Sequence, residues 1–415
     1  MSKYKLIGPI SQLISMRELP IKGALKDEDL HILENAGILI EDGNIKNIET
    51  YSDLLNNYKA LDLEIIELKA NYVCLPGFID AHTHICYCGS RAKDYAMRNS
   101  GKSYLEIAQA GGGIWDTVTQ TRKAEQQELM YGIVKRANTH LKNGVTTIEV
   151  KSGYGLSVPE ELKMLRAIKE AERNTEADLI ATCLAGHMLP KDFEGNHETY
   201  LDHISTTLFP ILQEEKLTNR IDAFIEQSAF SPSSILPYFE KAKSMGFDIT
   251  VHADQFSTGG SEIAVKMNAI SADHLEASTD NEVKMLANSN VVSIALPGAS
   301  IGLGCSFTPA RKILDSGGAL AIASDWNPGS APMGDLLTQA CILGTFEKLS
   351  NTEVLAGITY RAAAALNLQD RGRLMPGMLA DFNLFKTDHY NEIFYHQGKL
   401  VPSQIWKQGN LIYTS

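Results

Sequence analysis

The sequence is short of cysteine and has no long apolar run, and each absence removes a class of protein. Six cysteines in 415 residues, at positions 74, 86, 88, 183, 305 and 341, are too scattered for a disulfide framework. No run of roughly 18 apolar residues occurs, so no membrane-spanning helix is expected. The first residues lack the apolar core of a secretory signal, and the expected location is the cytoplasm.

Positive charge is also in deficit. Lys and Arg total 38 against 50 Asp and Glu, which gives a formal net charge of −12 without any basic block. We therefore expect neither nucleic acid nor an anionic membrane surface as a partner. An acidic chain that binds a small anion needs a locally placed Arg or Lys to do so. The oligomeric state is not fixed by the sequence, and a homodimer is one assembly open to the chain.

Short apolar runs alternate with stretches of helical character through the middle of the chain. This alternation is typical of a parallel sheet with crossover helices. Eight such strands over roughly 300 residues predict an α/β fold, a (β/α)8 TIM-type barrel. The predicted strands are 73–79, 146–150, 179–184, 223–225, 249–251, 270–272, 291–295 and 320–323.

Both ends of the chain have the character of β structure. Residues 32–49 indicate a hairpin around Asp42-Gly43, a strong turn signal. Residues 380–385 and 405–413 contain similar apolar segments. We predict a small β-sandwich domain built from residues 1–70 and 370–415, with the barrel as the catalytic domain over residues 71–369.

The first predicted strand ends in His82-Thr83-His84. In an extended chain the side chains of His82 and His84 point the same way, so both imidazoles can reach one point. In a barrel of this type the catalytic groups cluster at the C-terminal ends of the strands. The other predicted strands also end in polar residues, among them Lys151, His187, Glu226, His252, Asp273, His274 and Asp325.

These strand ends favour a catalytic metal site. The ligand set that they favour is His82, His84, His252 and Asp325. Nitrogen and oxygen ligands with an open position for water describe a catalytic site, and both Zn(II) and Fe(II) suit a set without a soft ligand. Cys86 and Cys88 lie in the loop beyond the strand end, and we do not expect them to bind the metal.

Two further residues at the same rim have open roles. His274 is expected to hydrogen-bond the water or the substrate, although a purely structural histidine is the alternative. Lys151 heads a glycine-rich loop, and its carbamylated form could bridge two metals. A structural or substrate-facing lysine is the interpretation that we favour.

With these residues in view, the chain resembles the amidohydrolase superfamily and, within it, the imidazolonepropionase family. The marks of the superfamily are residues 76–84 and 373–381. The marks more specific to imidazolonepropionases are Gly89-Ser90-Arg91, Gly101-Lys102-Ser103-Tyr104, Gly111-Gly112-Gly113-Ile114, residues 149–156, residues 271–275, and Asp325 with Asn327-Pro328-Gly329-Ser330.

The resemblance implies hydrolysis of the ring amide of a small anionic heterocycle, 4-imidazolone-5-propanoate, to N-formimidoyl-L-glutamate in histidine catabolism. It implies one Zn(II) or Fe(II) ion on the four ligands above, and His274 and Asp325 as catalytic residues. The implied substrate contacts are Arg91, Tyr154, His187, Gln255, Asn327, Gly329 and Ser330. The planar fork of Arg91 suits a carboxylate better than a lysine would.

Two positions depart from the family pattern. Gln255 stands where many members carry Glu and cannot titrate, so we expect Asp325 and His274 to share the proton transfers. Arg361 is also not typical of the family. Another amidohydrolase acting on a small heterocycle, such as a deaminase that releases ammonia, therefore stays open. A catalytically inactive binding protein is a third alternative, but it predicts broken ligands, and all four are present.

Overall fold

Two sheets organise the chain, and the computed structural model describes them over residues 4–227 and 229–415. In chain order the strands are β1 Tyr4–Ile14, β2 Ile32–Glu41, β3 Asn44–Thr50, β4 Leu63–Glu67, β5 Val73–Pro76, β6 Phe78–Asp80, β7 Val145–Lys151, β8 Asp178–Gly186, β9 Arg220–Phe224, β10 Asp248–Ala253, β11 Ser271–His274, β12 Val292–Ala295, β13 Ala319–Ile322, β14 Phe382–Phe385, β15 Gln404–Lys407 and β16 Asn410–Thr414.

Helices fill most of the connections between these strands. They are α1 Tyr51–Asn57, α2 Ala92–Asn99, α3 Tyr104–Gln109, α4 Ile114–Lys123, α5 Gln126–Lys142, α6 Val158–Glu172, α7 His197–Glu214, α8 Pro232–Ser244, α9 Gly260–Lys266, α10 Asp280–Ala287, α11 Pro297–Leu303, α12 Ala310–Asp315, α13 Leu336–Glu347, α14 Asn351–Gly357, α15 Tyr360–Ala365 and α16 Asn391–Tyr395, with a 3-10 turn at Asp27–Asp29. Within the described ranges, none of these helices combines the length and the apolar character needed to span a bilayer.

The larger assembly is the predicted barrel, and it is confirmed. Strands β6 to β13 pair in chain order, and every pairing is parallel. Most residues of these strands are buried, because the crossover helices cover the outside and side chains fill the inside. The carboxyl ends of all eight strands therefore meet at one face.

The barrel closes at the residues predicted to bind a metal. The backbone N–H of His84 donates to the carbonyl of Trp326 over 2.9 Å, and that of Asp325 donates to the carbonyl of His82 over 3.0 Å. Thr83 and Trp326 form a parallel bridge between these bonds. The seam between the first and last strands thus brings Asp325 next to His82 and His84.

The smaller assembly is a sheet drawn from both termini, as expected. Its order is β16-β15-β14-β5-β1-β2-β3, with β4 paired to β1. The hairpin of β2 and β3 turns at Asp42 and Gly43, whose φ angles of 49° and 83° are those of the predicted tight turn. The division of the chain into domains at residues 70 and 369 stays a prediction.

The first predicted strand, 73–79, is not continuous. Val73–Pro76 pairs with β1 and β14 in the terminal sheet, and only Phe78–Asp80 pairs with β7 in the barrel. The chain changes sheet at Gly77, where a Cβ atom would overlap the side chain of Thr146. An apolar run shows that a segment is buried, but not which sheet it joins.

Arg361, the untypical residue, has a structural position. Its side chain is fully buried, and Nη2 donates to the carbonyls of Gly23 at 2.7 Å and Pro20 at 3.4 Å. These bonds hold the segment after β1 against α15.

Candidate active site

Three imidazole nitrogens meet at the C-terminal end of the barrel. His82 and His84 follow β6 at alternate positions, and His252 lies in β10. The Nε2 atom of His84 lies 3.2 Å from that of His82 and 3.3 Å from that of His252. All three side chains are buried. Such convergence of three ring nitrogens leaves a position that one cation can share.

Asp325 completes this cluster across the barrel seam. Its Oδ1 lies 3.5 Å from Nε2 of both His82 and His84. The φ angle of Asp325 is 52°, a left-handed conformation that is costly for a residue with a side chain. Three nitrogens and one carboxylate oxygen without a thiolate suit a divalent ion such as zinc or iron. We call these four residues the ligand cluster.

Two of the histidines each have a carboxylate beside Nδ1, the ring nitrogen that points away from the cluster. Nδ1 of His82 donates to Oδ2 of Asp273 over 2.7 Å, and Nδ1 of His252 lies 2.9 Å from Oδ2 of Asp222. A proton on Nδ1 leaves the lone pair on Nε2, and such carboxylates orient metal-binding histidines. Our sequence analysis missed Asp222, whose only signal is a charged residue inside an apolar strand.

Lys151 joins these carboxylates beneath the histidines. Its Nζ donates to Oδ2 of Asp222 and Oε1 of Glu149, each at 2.8 Å, and lies 3.6 Å from Oδ2 of Asp273. Burial opposes the charge, but Asp222 and Glu149 outweigh it and raise the pKa of Lys151. Carbamylation requires the neutral amine. The contacts with buried carboxylates therefore favour a structural lysine, one of the two roles that we preferred, over a carbamylated bridge between metals.

Burial also sets the protonation of the ligand cluster. It lowers the pKa of His82 and His84 well below the usual value, and that of His252 to about 4. Neutral imidazole is the form that binds a metal. Burial raises the pKa of Asp325 to about 7, although the nearby charge of His274 lowers it in part. A cation beside this carboxylate would favour its ionised form.

His274 approaches the ligand cluster from β11 with a carboxylate of its own. Its ring centroid is 5.3 Å from that of His252, and its Nδ1 is 3.4 Å from Oε1 of Glu276. Burial opposes protonation, but Glu276 outweighs it and raises the pKa of His274. Our sequence analysis missed Glu276, for which the spacing of two residues from His274 is the only signal.

The ligand cluster opens into a cavity of about 600 Å³, a volume typical of a small-molecule site. All the substrate contacts that the resemblance implied line it: Arg91, Tyr154, His187, Gln255, Asn327, Gly329 and Ser330. His84, His252, His274 and Asp325 face the same space, whereas His82 is fully covered. The cavity also holds Arg98, which our sequence analysis missed, and Lys102, which it noted within the motif Gly101-Lys102-Ser103-Tyr104 without giving it a role.

Arg91 is held in place at one end of the cavity. It precedes α2, and its Nε donates to Asp94, whose Oδ2 also accepts the backbone N–H of Gly113 over 2.8 Å. A Cβ atom at Gly112 would overlap the carboxylate of Asp94. The glycine-rich motif thus lets the chain pack on Asp94. Nη1 of Arg91 also donates to Oγ1 of Thr117 over 3.4 Å, and the remaining N–H groups of the terminal nitrogens can bind a carboxylate.

Asn327 organises the loop that follows β13. Its Nδ2 donates to the carbonyl of Asp325 at 2.7 Å and to Oγ of Ser330 at 2.9 Å. Its Oδ1 accepts the backbone N–H groups of Gly329 at 2.7 Å and Ser330 at 2.8 Å. Both donors and both acceptors of the amide are therefore used within the loop.

Tyr154 and His187 form the wall beside His84. The rings of His84 and His187 stack with centroids 5.6 Å apart. Nδ1 of His187 lies 2.9 Å from the carbonyl of Gly153, so this nitrogen carries the proton and Nε2 can accept one. Burial lowers the pKa of His187 to about 4, which keeps the ring neutral.

Gln255 lies in a loop that Glu226 anchors. Oε2 of Glu226 accepts the backbone N–H groups of Phe256 at 2.9 Å and Ser257 at 3.1 Å, and Oε1 accepts that of Gln227 at 3.0 Å. Because this carboxylate is engaged by backbone groups, it shapes the loop and is not placed as a base.

Comparison with known proteins shows which family the chain is similar to. The amidohydrolase family model matches residues 73–412. The imidazolonepropionase of Acinetobacter baumannii strain AB307-0294 is 40% identical over 83% of this chain and 87% of its own length. That of Bacillus cytotoxicus is 37% identical over 99% and 96%. A zinc-bound atrazine chlorohydrolase of Arthrobacter aurescens has a TM-score of 0.73 with 16% identity, covering 99% of this chain and 95% of that one, and so shares the fold.

Replacement of Lys151 tests the carboxylate network beneath the histidines. Lys151→Met should lower the free energy of unfolding by roughly 3–5 kcal/mol, because it leaves buried carboxylates without their cation. Chemical denaturation of the metal-free proteins measures this change. The matched control is Lys312→Met, whose exposed pair with Asp280 should matter little. Equal stability of the two variants would contradict the network.

Proposed function

Because the chain belongs to the amidohydrolase family and, within it, to the imidazolonepropionases, we propose that it opens the ring amide of 4-imidazolone-5-propanoate to N-formimidoyl-L-glutamate. It is a hydrolase of cyclic amide C–N bonds, and the reaction belongs to histidine degradation. The observation that carries the proposal is a buried ligand cluster and Arg91 on the walls of one cavity. The ligand cluster suits an amide carbonyl of the substrate, and Arg91 suits a carboxylate of the substrate.

His82, His84, His252 and Asp325 would together hold one divalent ion, Zn(II) or Fe(II). Such an ion supplies Lewis acidity toward the ring carbonyl and makes water acidic enough to react near neutral pH. The convergence of the Nε2 atoms and the protonated Nδ1 of His82 support this assignment.

The remaining residues bind and orient the substrate. Arg91 pairs with the propanoate, since Asp94 fixes Nε, Nη1 makes only a long bond of 3.4 Å to Oγ1 of Thr117, and Nη2 faces no side-chain acceptor among the described residues. Tyr154, His187 and Gln255 surround the ring, and Gly329 and Ser330 complete the wall. Asn327 acts by holding that loop, because its own amide is engaged.

Asp325 and His274 share the proton transfers. Water attacks the ring carbonyl carbon and gives one proton to Asp325, which passes that proton to the ring nitrogen as the C–N bond breaks. The carbonyl carbon becomes the new carboxylate. His274, held by Glu276, polarises the water or the carbonyl. Gln255 orients the ring by hydrogen bonds.

The direct test is incubation with 4-imidazolone-5-propanoate. We expect the ultraviolet absorption of the ring to decay and N-formimidoyl-L-glutamate to appear in equal amount, without ammonia. Release of ammonia with an intact carbon skeleton would instead indicate a deaminase. A homodimer, a cytoplasmic location and the absence of nucleic-acid partners stay predictions.

The metal assignment predicts about one zinc or iron ion per chain. His84→Ala and His252→Ala should each lose both metal and activity, because each removes a nitrogen from the cluster. Elemental analysis measures the content, and His203→Ala, on the exposed side of α7, is the control that should keep it. Active protein without any metal would contradict the assignment.

The carboxylate assignment predicts a severe defect in Arg91→Ala. Loss of a charge-assisted contact should cost roughly 2–5 kcal/mol, about 30- to 5,000-fold in kcat/KM, while the metal content stays unchanged. Steady-state kinetics measures the loss. Arg166→Ala, which removes a surface pair with Glu215, is the control. An unchanged kcat/KM in Arg91→Ala would contradict the assignment of Arg91 as the residue that binds the substrate carboxylate.

The proton assignment predicts that His274→Ala and Asp325→Asn each lower kcat by roughly 100-fold or more. Gln255→Ala should mainly raise KM. Metal content must be measured for each variant, since Asp325 also belongs to the ligand cluster. If Gln255→Ala lost turnover while metal-loaded His274→Ala kept near-normal turnover, the assignment of proton transfer to His274 and of ring orientation to Gln255 would be wrong.

A further inference from the structure

Arg98 lies in the last turn of α2, whereas Arg91 is the residue that precedes this helix. Both side chains line the same cavity. Arg98 is half-buried. The reaction as proposed gives it no role.

The guanidinium of Arg98 joins two other parts of the cavity wall. Nη1 donates to the carbonyl of Gly302 over 2.7 Å, and Nη2 donates to the carbonyl of Gly329 over 3.2 Å. Gly302 lies in α11, and a Cβ atom there would overlap the carbonyl of Ser330. The helix and the loop after β13 are thus in direct backbone contact, and Arg98 fastens α2 to both.

Gly329 lies between the two arginines. A Cβ atom on Gly329 would come within 3.4 Å of Nη1 of Arg91 and 3.3 Å of Oδ1 of Asn327. The loop that carries Gly329 starts at Asp325, and Asn327 ties it together. Arg98 therefore connects the carboxylate end of the cavity to the ligand cluster.

The two arginines differ in charge compensation. Arg91 is paired with Asp94, and Lys102 with Glu106 at 2.8 Å. Within residues 4–227 and 229–415, Arg98 has carbonyl partners but no carboxylate partner. Carbonyl oxygens leave its full positive charge in place, so Arg98 can attract an anionic substrate, and dissolved salt weakens this attraction by screening.

We propose that Arg98 is a positioning residue that sets the preference for substrates with a carboxylate. It fixes the position of the Gly329 loop relative to Arg91. It also supplies a positive charge without a carboxylate partner, whereas Asp94 partly compensates the charge of Arg91. This inference rests on the proposed function for the identity of the substrate.

Steady-state kinetics of Arg98→Ala tests the proposal. We expect KM for 4-imidazolone-5-propanoate to rise roughly tenfold or more, with kcat changed less than about threefold and metal content unchanged. Added guanidinium ion should restore part of the affinity by filling the vacated position. The dependence of kcat/KM on salt should be weaker in the variant than in the wild type.

Arg373→Ala is the matched control. Arg373 also donates to two backbone carbonyls, those of Met16 and Leu19, each at 2.6 Å, but it does not line the cavity. This control should lower thermal stability and leave KM, its salt dependence and the guanidinium response unchanged. The same kinetic changes in Arg373→Ala, or an unchanged KM in Arg98→Ala, would overturn the proposal.

A binding measurement separates this proposal from the proposed function. Calorimetry with 3-(1H-imidazol-4-yl)propanoate and with its uncharged amide needs no turnover. The wild type should prefer the carboxylate, and Arg98→Ala should lose most of that preference. Failure of the wild type to open the imidazolone ring would contradict the function, whereas an intact preference in Arg98→Ala would contradict only the role of Arg98.

Discussion

A buried ammonium group among carboxylates is the interaction on which the site depends. Lys151 on β7 contacts Asp222 on β9 and lies near Asp273 on β11, and these aspartates in turn face His252 and His82. Without the lysine, like charges would be buried together with no cation between them. The orientation of the two histidines is therefore tied to the packing of the barrel strands.

The cavity has two chemically different ends. The floor is the ligand cluster, with neutral imidazoles and a carboxylate that can act on a carbonyl and a water. The other end is cationic, although the whole chain is acidic, because Arg91 just before α2 and Arg98 within it lie beside the loop that starts at Asp325. The barrel seam, where residues 82–84 bond to residues 325–326, fixes the distance between the two ends.

Much of this arrangement could be predicted from the sequence, because the signals are local. The spacing of His82 and His84 and the rhythm of apolar runs depend on neighbouring residues alone. Asp222 and Glu276 were missed because their roles arise from pairings between strands or within a turn, which no local pattern states. The run from 73 to 79 was likewise assigned to one strand, since burial does not reveal which sheet a strand joins. The side chain of Arg98 bonds to carbonyls more than 200 positions away, which no local pattern can reveal.

X-ray absorption at the metal edge of the purified protein tests the central claim most directly. The account predicts one ion with three nitrogens and one carboxylate oxygen at roughly 2.0–2.2 Å, any water at a similar distance, and no sulfur. It also predicts no second metal, because Lys151 is held as an ammonium by Asp222 and Glu149. A sulfur shell at about 2.3 Å, or a metal–metal distance, would contradict it.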